Sequence, residues 1–485
     1  MRRTLMFATA AAVVLAGAAD AQLRSLAPQD VAKAAQQHAS VIKEFGGAET
    51  GARAAYVDRI GRRVAGYSGT ANAGQAYHFT TLNSPVENAF SVPGGYVYIT
   101  RQLMTLMGDE GELAFVLGHE TGHIAANHAK SRQARAQRDS LLGVLGVVLG
   151  SVVGNNAFGN LISQSTQRFS QLATLGFSRN QEYQADQLGI RYMTQAGYDP
   201  GAAGTMLAAL GRSTALEARV QGKTGRSTPE WASTHPLSEN RVAQANALAR
   251  QTGRVGSGLR NRDAFLAQLD GIRVDDDPAQ GVIDGRNFTH PDLKLMFTVP
   301  TGFQMENSVS DVTIAGSGGQ AQFSGGKFDG NLDQYVAAVI NQLTQGKVQV
   351  AMSPLQRTAI NGIPAAYSEG RADTANGPVD VGVMVYQWGN GSAYHFLTLT
   401  QVGQGMRPFA SMLNSLRRIT DQEAAAIQPK VIRVVTVRRG DTVQSLAEQM
   451  AYRDFRVERF QSLNGIGSAA PVPGQKVKLV VLGRR

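Results

Sequence analysis

The chain contains no cysteine in 485 residues. That excludes a disulfide framework, a thiolate metal ligand and a lipid-bearing cysteine near the N-terminus. Stability must come from packing, or from a metal held by histidine and carboxylate. Runs of basic charge are also missing: the formal net charge is +10, yet Lys and Arg are scattered along the chain. This argues against a nucleic-acid partner and leaves two readings, an anionic cell envelope as counter-surface or a solvated basic face with no specific partner. The apolar runs are too short to span a bilayer comfortably.

The length is too great for one core and implies about two to four domains. The N-terminal MRRTLMFATAAAVVLAGAADAQ has Arg2 and Arg3, an apolar run ending near Gly17, and Ala19 and Ala21 placed as in an A-x-A cleavage site. Residues 1–21 therefore read as a signal peptide cut before Gln22, in preference to an uncleaved anchor. The expected location is the periplasm or cell envelope.

Residues 22–270 carry helical patterns with capping signals. GIRVDDDPAQG (Gly271–Gly281) is acidic, contains proline and reads as a linker. Over 281–420 the texture changes to short β-like runs such as VDVGVMVYQW, with one helical stretch, LDQYVAAVINQLTQ, which predicts a small α+β domain. A second linker, DQEAAAIQPK, leads to a compact unit at 431–483.

The chemistry-bearing stretch is GDEGELAFVLGHETGHIAANHAK. Asp109 and Glu112 have capping-box spacing, and apolar residues then recur at helical intervals. His119 and His123 are four apart, so both imidazoles leave one face of the helix. Glu120 is turned by about 100 degrees from His119, within reach of a metal-bound water without being a ligand. This is the H-E-x-x-H pattern of a zinc site in which the glutamate is the general base. The alternative is a helix with two hydrogen-bonded core histidines.

A third ligand must come from elsewhere. An extended motif would need Gly at 126 and His at 129, where the chain has Ala126 and Ala129. His128 is one residue out of register, which puts it behind the ligands or at the surface. The best candidate is a carboxylate in FSRNQEYQADQLGIRYMTQAGYDP. Ser178 and Gln181 form a capping-box pair, while Gly197 and Pro200 end the helix. Glu182 and Asp186 share one face, and Gly189 permits close packing on the first helix. A buried acidic pair is costly unless both members are engaged. Glu182 on the metal and Asp186 accepting the N–H of a ligating histidine satisfies that condition. A solvated acidic edge is the other reading.

At this point the residues resemble a known family. H-E-x-x-H at 119–123, followed by Glu182-Tyr183-Gln184-Ala185-Asp186-x-x-Gly189, is similar to the HtpX/BepA-like zinc metallopeptidases, relatives of the CAAX prenyl endopeptidases. ENAFSVPGGYVYITRQLM upstream and STHPLSENRVAQA downstream resemble the same family's flanking motifs, so four motifs match in order over about Gln22 to Gly253. The resemblance implies a mainly α-helical zincin-type domain with a small β-sheet. It makes His119, His123 and Glu182 the ligands of one Zn²⁺ and Glu120 the general base. It also makes Asn88–Gly95 the edge strand beside the cleft; an extended segment there, at Asn88, Ala89, Phe90 and Ser91, would hold a substrate backbone by strand addition, with an ordinary hairpin as the alternative. Arg241 is implied as an oxyanion stabiliser. His235 either helps it, occupies the open zinc position and keeps the enzyme latent, or is a structural loop histidine.

The uncharged, glycine-containing stretch Leu141–Gln167 lies between the two motif helices. It reads as a packed helical hairpin, a membrane-surface contact or an apolar lip over the cleft. VVTVRRGDTVQSLAEQMAYRDFRVERFQSLNGI with VPGQKVKLVV looks like a small βααβ LysM module. That resemblance implies binding to peptidoglycan or another N-acetylglucosamine-containing glycan, against a degenerate spacer or docking domain. FTHPDLKLMFTVPTGF resembles the PsbP/MOG-one-like α+β folds, and its His290 reads as structural. The expectation is an exported zinc endopeptidase that cleaves misfolded or misassembled envelope polypeptides. Its rival is an envelope assembly factor or chaperone with latent or minor protease activity.

Overall fold

The computed structural model describes residues 23–130, 176–220, 235, 240–344, 350–374, 377–389, 391–467 and 469–484. Residues 1–21, read above as a signal peptide, and the Leu141–Gln167 insert lie outside the described residues. Among the described residues, no helix is long and apolar enough to cross a membrane.

The chain has several domains, a helical N-terminal region followed by a sheet-rich C-terminal part. The first region runs α1 (Pro28–Glu44), α2 (Ala52–Ala65), α3 (Ala73–Ala76), β1 (His78–Leu82), β2 (Ala89–Val92), β3 (Tyr96–Thr100), α4 (Arg101–Leu106) and α5 (Glu110–Ala125). After the undescribed segment come α6 (Arg179–Gln195), α7 (Gly201–Val220), α8 (Arg241–Gln251), α9 (Arg262–Leu269) and the two-residue strand β4 (Arg273–Val274). The sheet order is β1-β3-β2, so β2 is an edge strand, antiparallel to β3. Its turn passes through Gly95, where a Cβ would fall 2.0 Å from the Ala76 carbonyl oxygen.

Helix α5 is buried from Glu110 to Ile124, its apolar run Leu113–Gly118 together with His119, Glu120 and His123. Asp109 caps it by accepting from the Glu112 N–H at 3.1 Å. The expected reciprocal half of the capping box is not formed. Glu112 instead accepts from the Gly108 N–H (2.7 Å) and the Thr205 hydroxyl (2.5 Å), drawn outward by the donor that α7 offers. In α6 both halves form, between Ser178 and Gln181. That helix ends with Gly197 at φ +88° and the Tyr198 N–H returning to the Met193 carbonyl, a left-handed cap that favours glycine. Helices α5 and α6 touch where Gly118 meets Gly189, and a Cβ on Gly189 would fall 2.8 Å from the His119 backbone nitrogen. This contact sets Glu182 and Asp186 opposite the histidine pair.

In the C-terminal part, an eight-stranded sheet spans Gln304 to Gln401. Strand Gly377–Gly389 is covered on both sides: Val381, Val383 and Val385 pack towards the helix Leu332–Thr344, while Met384 and Tyr386 join a second cluster with Phe297 and Phe409. His290 accepts from the Leu293 N–H at 3.3 Å.

The last segment has the order strand Lys430–Thr436, helices Val443–Ala447 and Arg456–Asn464, strand Lys476–Leu482. Its sheet continues into β4, in the order Lys476–Leu482, Lys430–Thr436, β4. Ile432, Leu446, Phe460 and Leu479 share one apolar cluster with Met104, Leu269 and Ile272 of the helical region. This corrects the reading of Gly271–Gly281 as a linker. Ile272 and Val274 are buried, Arg101 donates to the carbonyls of Arg273 (3.1 Å) and Asp275 (2.6 Å), and Asp277 accepts from Asn83 at 3.0 Å. Acidic composition hid the fact that these carboxylates and carbonyls have donors waiting on other elements. The second expected linker is likewise ordered: Asp421–Ala426 is a short helix with a capping box between Thr420 and Glu423.

Candidate metal centre

Helix α5 presents His119 and His123 with their Nε2 atoms 3.0 Å apart. Across from them, Glu182 of α6 lies 3.6 Å from His119 Nε2 and 3.5 Å from His123 Nε2. His235 joins the same group, with one ligand atom from each of the four residues within 4.8 Å of the others. All four are buried. Zinc bonds of about 2.0–2.1 Å in a tetrahedron place donor atoms roughly 3.4 Å apart, so this donor set fits such an ion. Glu120 gives a second test of fit. It is fully buried, and among the described residues neither carboxylate oxygen has a hydrogen-bond partner; His235 Nε2 lies 3.4 Å from one of them. A carboxylate stripped of water in this way is costly unless something in the cleft engages it.

Behind the donors, His119 Nδ1 donates to Asp186 at 2.9 Å. That leaves its Nε2 lone pair facing the group. Asp186 is in turn held by two parallel bonds from Arg241, Nε at 2.7 Å and Nη2 at 2.8 Å. Arg241 Nη1 lies 2.9 Å from Glu182 and donates to the His235 carbonyl at 3.2 Å. The guanidinium that resemblance offered to an oxyanion is thus taken up by the two carboxylates and the loop. Three buried charges of alternating sign satisfy one another here, which is how a low-dielectric site tolerates them.

The electrostatics follow. Burial alone would raise Asp186, but Arg241 and His119 outweigh it and hold the carboxyl well below the usual range. Glu182 is also lowered, with burial opposed by His235, His119 and Arg241. His123 is pushed well below the ordinary imidazole value by burial and by neighbouring His119 and His235, keeping it a neutral donor. His235 goes the other way: burial opposes its charge, but Glu182 and Glu120 raise it. Its Nδ1 lies 3.0 Å from Glu182 and 3.3 Å from His119 Nε2.

The four residues of the edge-strand reading separate. Asn88 is fully buried, with neither side-chain polar atom hydrogen-bonded among the described residues. Ala89 is buried in the main core, and Phe90 turns into another cluster against Phe45 and Tyr98. Only Ser91 lines the cavity of about 180 Å³ beside the site, together with Leu26, Pro93, His123, Ile124 and Phe177. Phe177 and Gln184 were not singled out from sequence. Phe177 stacks on His123 with ring centroids 3.9 Å apart, and Gln184 bonds to His128 at 3.1 Å. Gln184 lies two residues from both Glu182 and Asp186, off their shared face, so helix periodicity gave no signal for it.

Residues 51–249 match the family model of Peptidase family M48, and residues 435–480 match that of the LysM domain. Among curated proteins, the beta-barrel assembly-enhancing protease of Escherichia coli K12 is 29% identical over 199 residues, 40% of this chain and 39% of that protein. Its namesake in Yersinia pestis is 31% identical over 202 residues, 40% of this chain and 39% of that one. The mitochondrial metalloendopeptidase OMA1 of Schizosaccharomyces pombe is 31% identical over 187 residues, 39% and 50% of the respective chains. The chain spans about two fifths of the length of the first of these relatives. The solution structure of cyanobacterial PsbP from Synechocystis aligns with TM-score 0.24 at 12% identity, over 28% of this chain and 98% of that one, a likeness too low to carry an argument. Residues 51–249 are a metallopeptidase domain of peptidase family M48, joined in one chain to a LysM domain.

Proposed function

We propose that the chain is an exported zinc-dependent endopeptidase that hydrolyses peptide bonds of misfolded or misassembled cell-envelope proteins. Its LysM module tethers it to peptidoglycan or another N-acetylglucosamine-containing glycan. The observation that carries the reading is the convergence of His119, His123 and Glu182 beside a buried Glu120 whose carboxylate has no hydrogen-bond partner among the described residues. In this reading residues 1–21 are a cleaved signal peptide, 22–270 a zincin-type domain, 281–420 an α+β domain and 431–483 the glycan-binding module. The N-terminal sequence and the match to LysM support an envelope location.

His119, His123 and Glu182 would hold one Zn²⁺, which when bound supplies an electrophile that acidifies water and polarises a carbonyl. Glu120 takes the proton of the attacking water on a carboxylate oxygen and returns it to the leaving amide nitrogen. Asp186 fixes the tautomer of His119, and Arg241 locks Asp186 and Glu182 in place. The open side of β2, with Asn88 to Ser91, aligns an extended polypeptide by backbone pairing, which accepts many side chains. The apolar wall of the adjoining cavity takes one substrate side chain.

A second reading, an assembly factor with latent proteolysis, is favoured by one observation: His235 sits among the ligand atoms, where a water or substrate would need room. Metal content and casein cleavage on the same samples separate the two. Glu182→Ala loses zinc. Glu120→Gln keeps zinc and loses cleavage by about 10²- to 10⁴-fold. His235→Ala keeps zinc and cleaves faster if the histidine restrains the site. Envelope phenotypes that survive Glu120→Gln with zinc still bound would favour the assembly role.

A further inference from the structure

His128 has no part in the scheme above, yet its ring is buried and both of its nitrogens are engaged. Nδ1 lies 2.9 Å from His123 Nδ1, and Nε2 lies 3.1 Å from Gln184 Oε1. We propose that His128 is the positioning residue for His123: a chain from Gln184 through His128 to His123 orients that ligand and sets the affinity of the site for zinc. The proposal rests on the metal reading above.

The direction of the chain follows from what His123 must do. Its Nε2 faces His119 Nε2 and Glu182 and must present a lone pair there. The ring proton then sits on Nδ1, and its neighbour His128 Nδ1 must accept it. His128 carries its own proton on Nε2 and donates it to the Gln184 carbonyl oxygen, which can only accept. One tautomer for each ring satisfies every link.

The backbone is built for this contact. Helix α5 stops at Ala125, and Asn127 takes the left-handed conformation at φ +53°. That turn folds His128 back over the helix end instead of letting it continue outward. Gln181 of α6 donates to the His128 carbonyl at 3.3 Å, and Phe177 stacks on the face of the His123 ring. The His123 ring is thereby held on one face and at its rear nitrogen. The two metal-facing histidines also differ in a purposeful way. His119 is backed by a carboxylate that Arg241 neutralises, whereas His123 is backed by a neutral imidazole. With three carboxylates and a single guanidinium already in the cluster, the neutral partner adds no further buried charge.

The test is zinc affinity of the full chain, measured by competition with a chromophoric chelator, together with the visible absorption of the Co²⁺-substituted protein. His128→Phe keeps the ring volume and removes the acceptor, whereas His128→Asn places a carbonyl oxygen near the lost Nδ1. The expected result is zinc binding about 10- to 100-fold weaker and an altered Co²⁺ spectrum for His128→Phe, with His128→Asn within about threefold of wild type. Gln184 is exposed, so Gln184→Leu tolerates the change in fold and should weaken zinc in the same direction by less. Should His128→Phe not fold, Gln184→Leu against His128→Asn carries the comparison. Wild-type affinity in both His128→Phe and Gln184→Leu overturns the proposal, as does a His128→Asn variant as weak as His128→Phe. Absence of zinc from the wild type removes the metal reading itself, a different outcome from variants that bind like a zinc-loaded wild type.

Discussion

Gly189 packs directly on the backbone of His119: a Cβ added to it would fall 2.8 Å from the His119 nitrogen and 3.1 Å from its Cα. The obstacle is backbone on both sides, so nothing flexible can give way. Gly189→Ala must separate α5 from α6 and move Glu182 away from the histidine pair. We expect a loss of about 1–3 kcal/mol in stability and a lower zinc content at the same total zinc. Urea midpoints and elemental analysis check this; a variant with wild-type values in both would show that the helix contact does not set the site.

Asp186 is held by Arg241 and holds His119. Asp186→Asn replaces one of two acceptors with an NH₂ group facing a buried guanidinium. Breaking such a pair costs about 3–5 kcal/mol, because a charge is left without its partner. Zinc affinity should fall by about 10- to 100-fold as His119 loses its orienting carboxylate. Denaturation of the metal-free protein measures the first effect, and chelator competition the second.

Lys478 is buried and donates to the carbonyls of Thr105 (2.6 Å) and Met107 (2.7 Å), tying the last strand to α4. Burial pulls its ammonium down to about 7, with Glu112 only partly offsetting it. Below that pH both folded and unfolded chains hold the proton. Above it the folded chain has released a proton that the unfolded chain keeps until about pH 10. The unfolded state binds more protons, so this residue makes stability rise with pH, at up to about 1.4 kcal/mol per unit. Urea midpoints over about pH 7 to 10 should climb more steeply in the wild type than in Lys478→Met. Parallel curves would contradict the assignment.

The C-terminal module completes the peptidase core. Ending the chain at Gln428 would expose Met104, Leu269 and Ile272 and strip β4 of the strand it pairs with. We expect the truncated protein to aggregate or to lose near-ultraviolet circular dichroism, with the intact chain as control. A soluble, zinc-binding truncation with native dichroism would show that the module is only appended.

These relationships differ in how far they can be read from the chain alone. His119, Glu120 and His123 are legible because helix periodicity is local: four residues make about one turn wherever the helix lies. Glu182 and Asp186 are legible for the same reason, helped by a cap at Ser178 that fixes where α6 begins. Gln184 lies two residues from each of them, off their shared face, and an exposed amide there advertises no chemistry. The half-formed capping box at Asp109 shows the limit of a local rule: Thr205, a distant residue in sequence, competes for Glu112 and wins.

The sequence by itself determined the helix faces, the donor types and the absence of thiol chemistry, all properties of residue identity and short-range spacing. Only the tertiary structure decided that Arg241 spends its donors on Asp186 and Glu182, that His235 reaches the ligand cluster, and that an acidic stretch at Gly271–Gly281 joins the C-terminal sheet to the helical core. The physical reason is the same in each case. A buried polar group takes whichever partner the packed elements bring within about 3 Å, and that depends on helix crossings and strand order that no short stretch of sequence encodes.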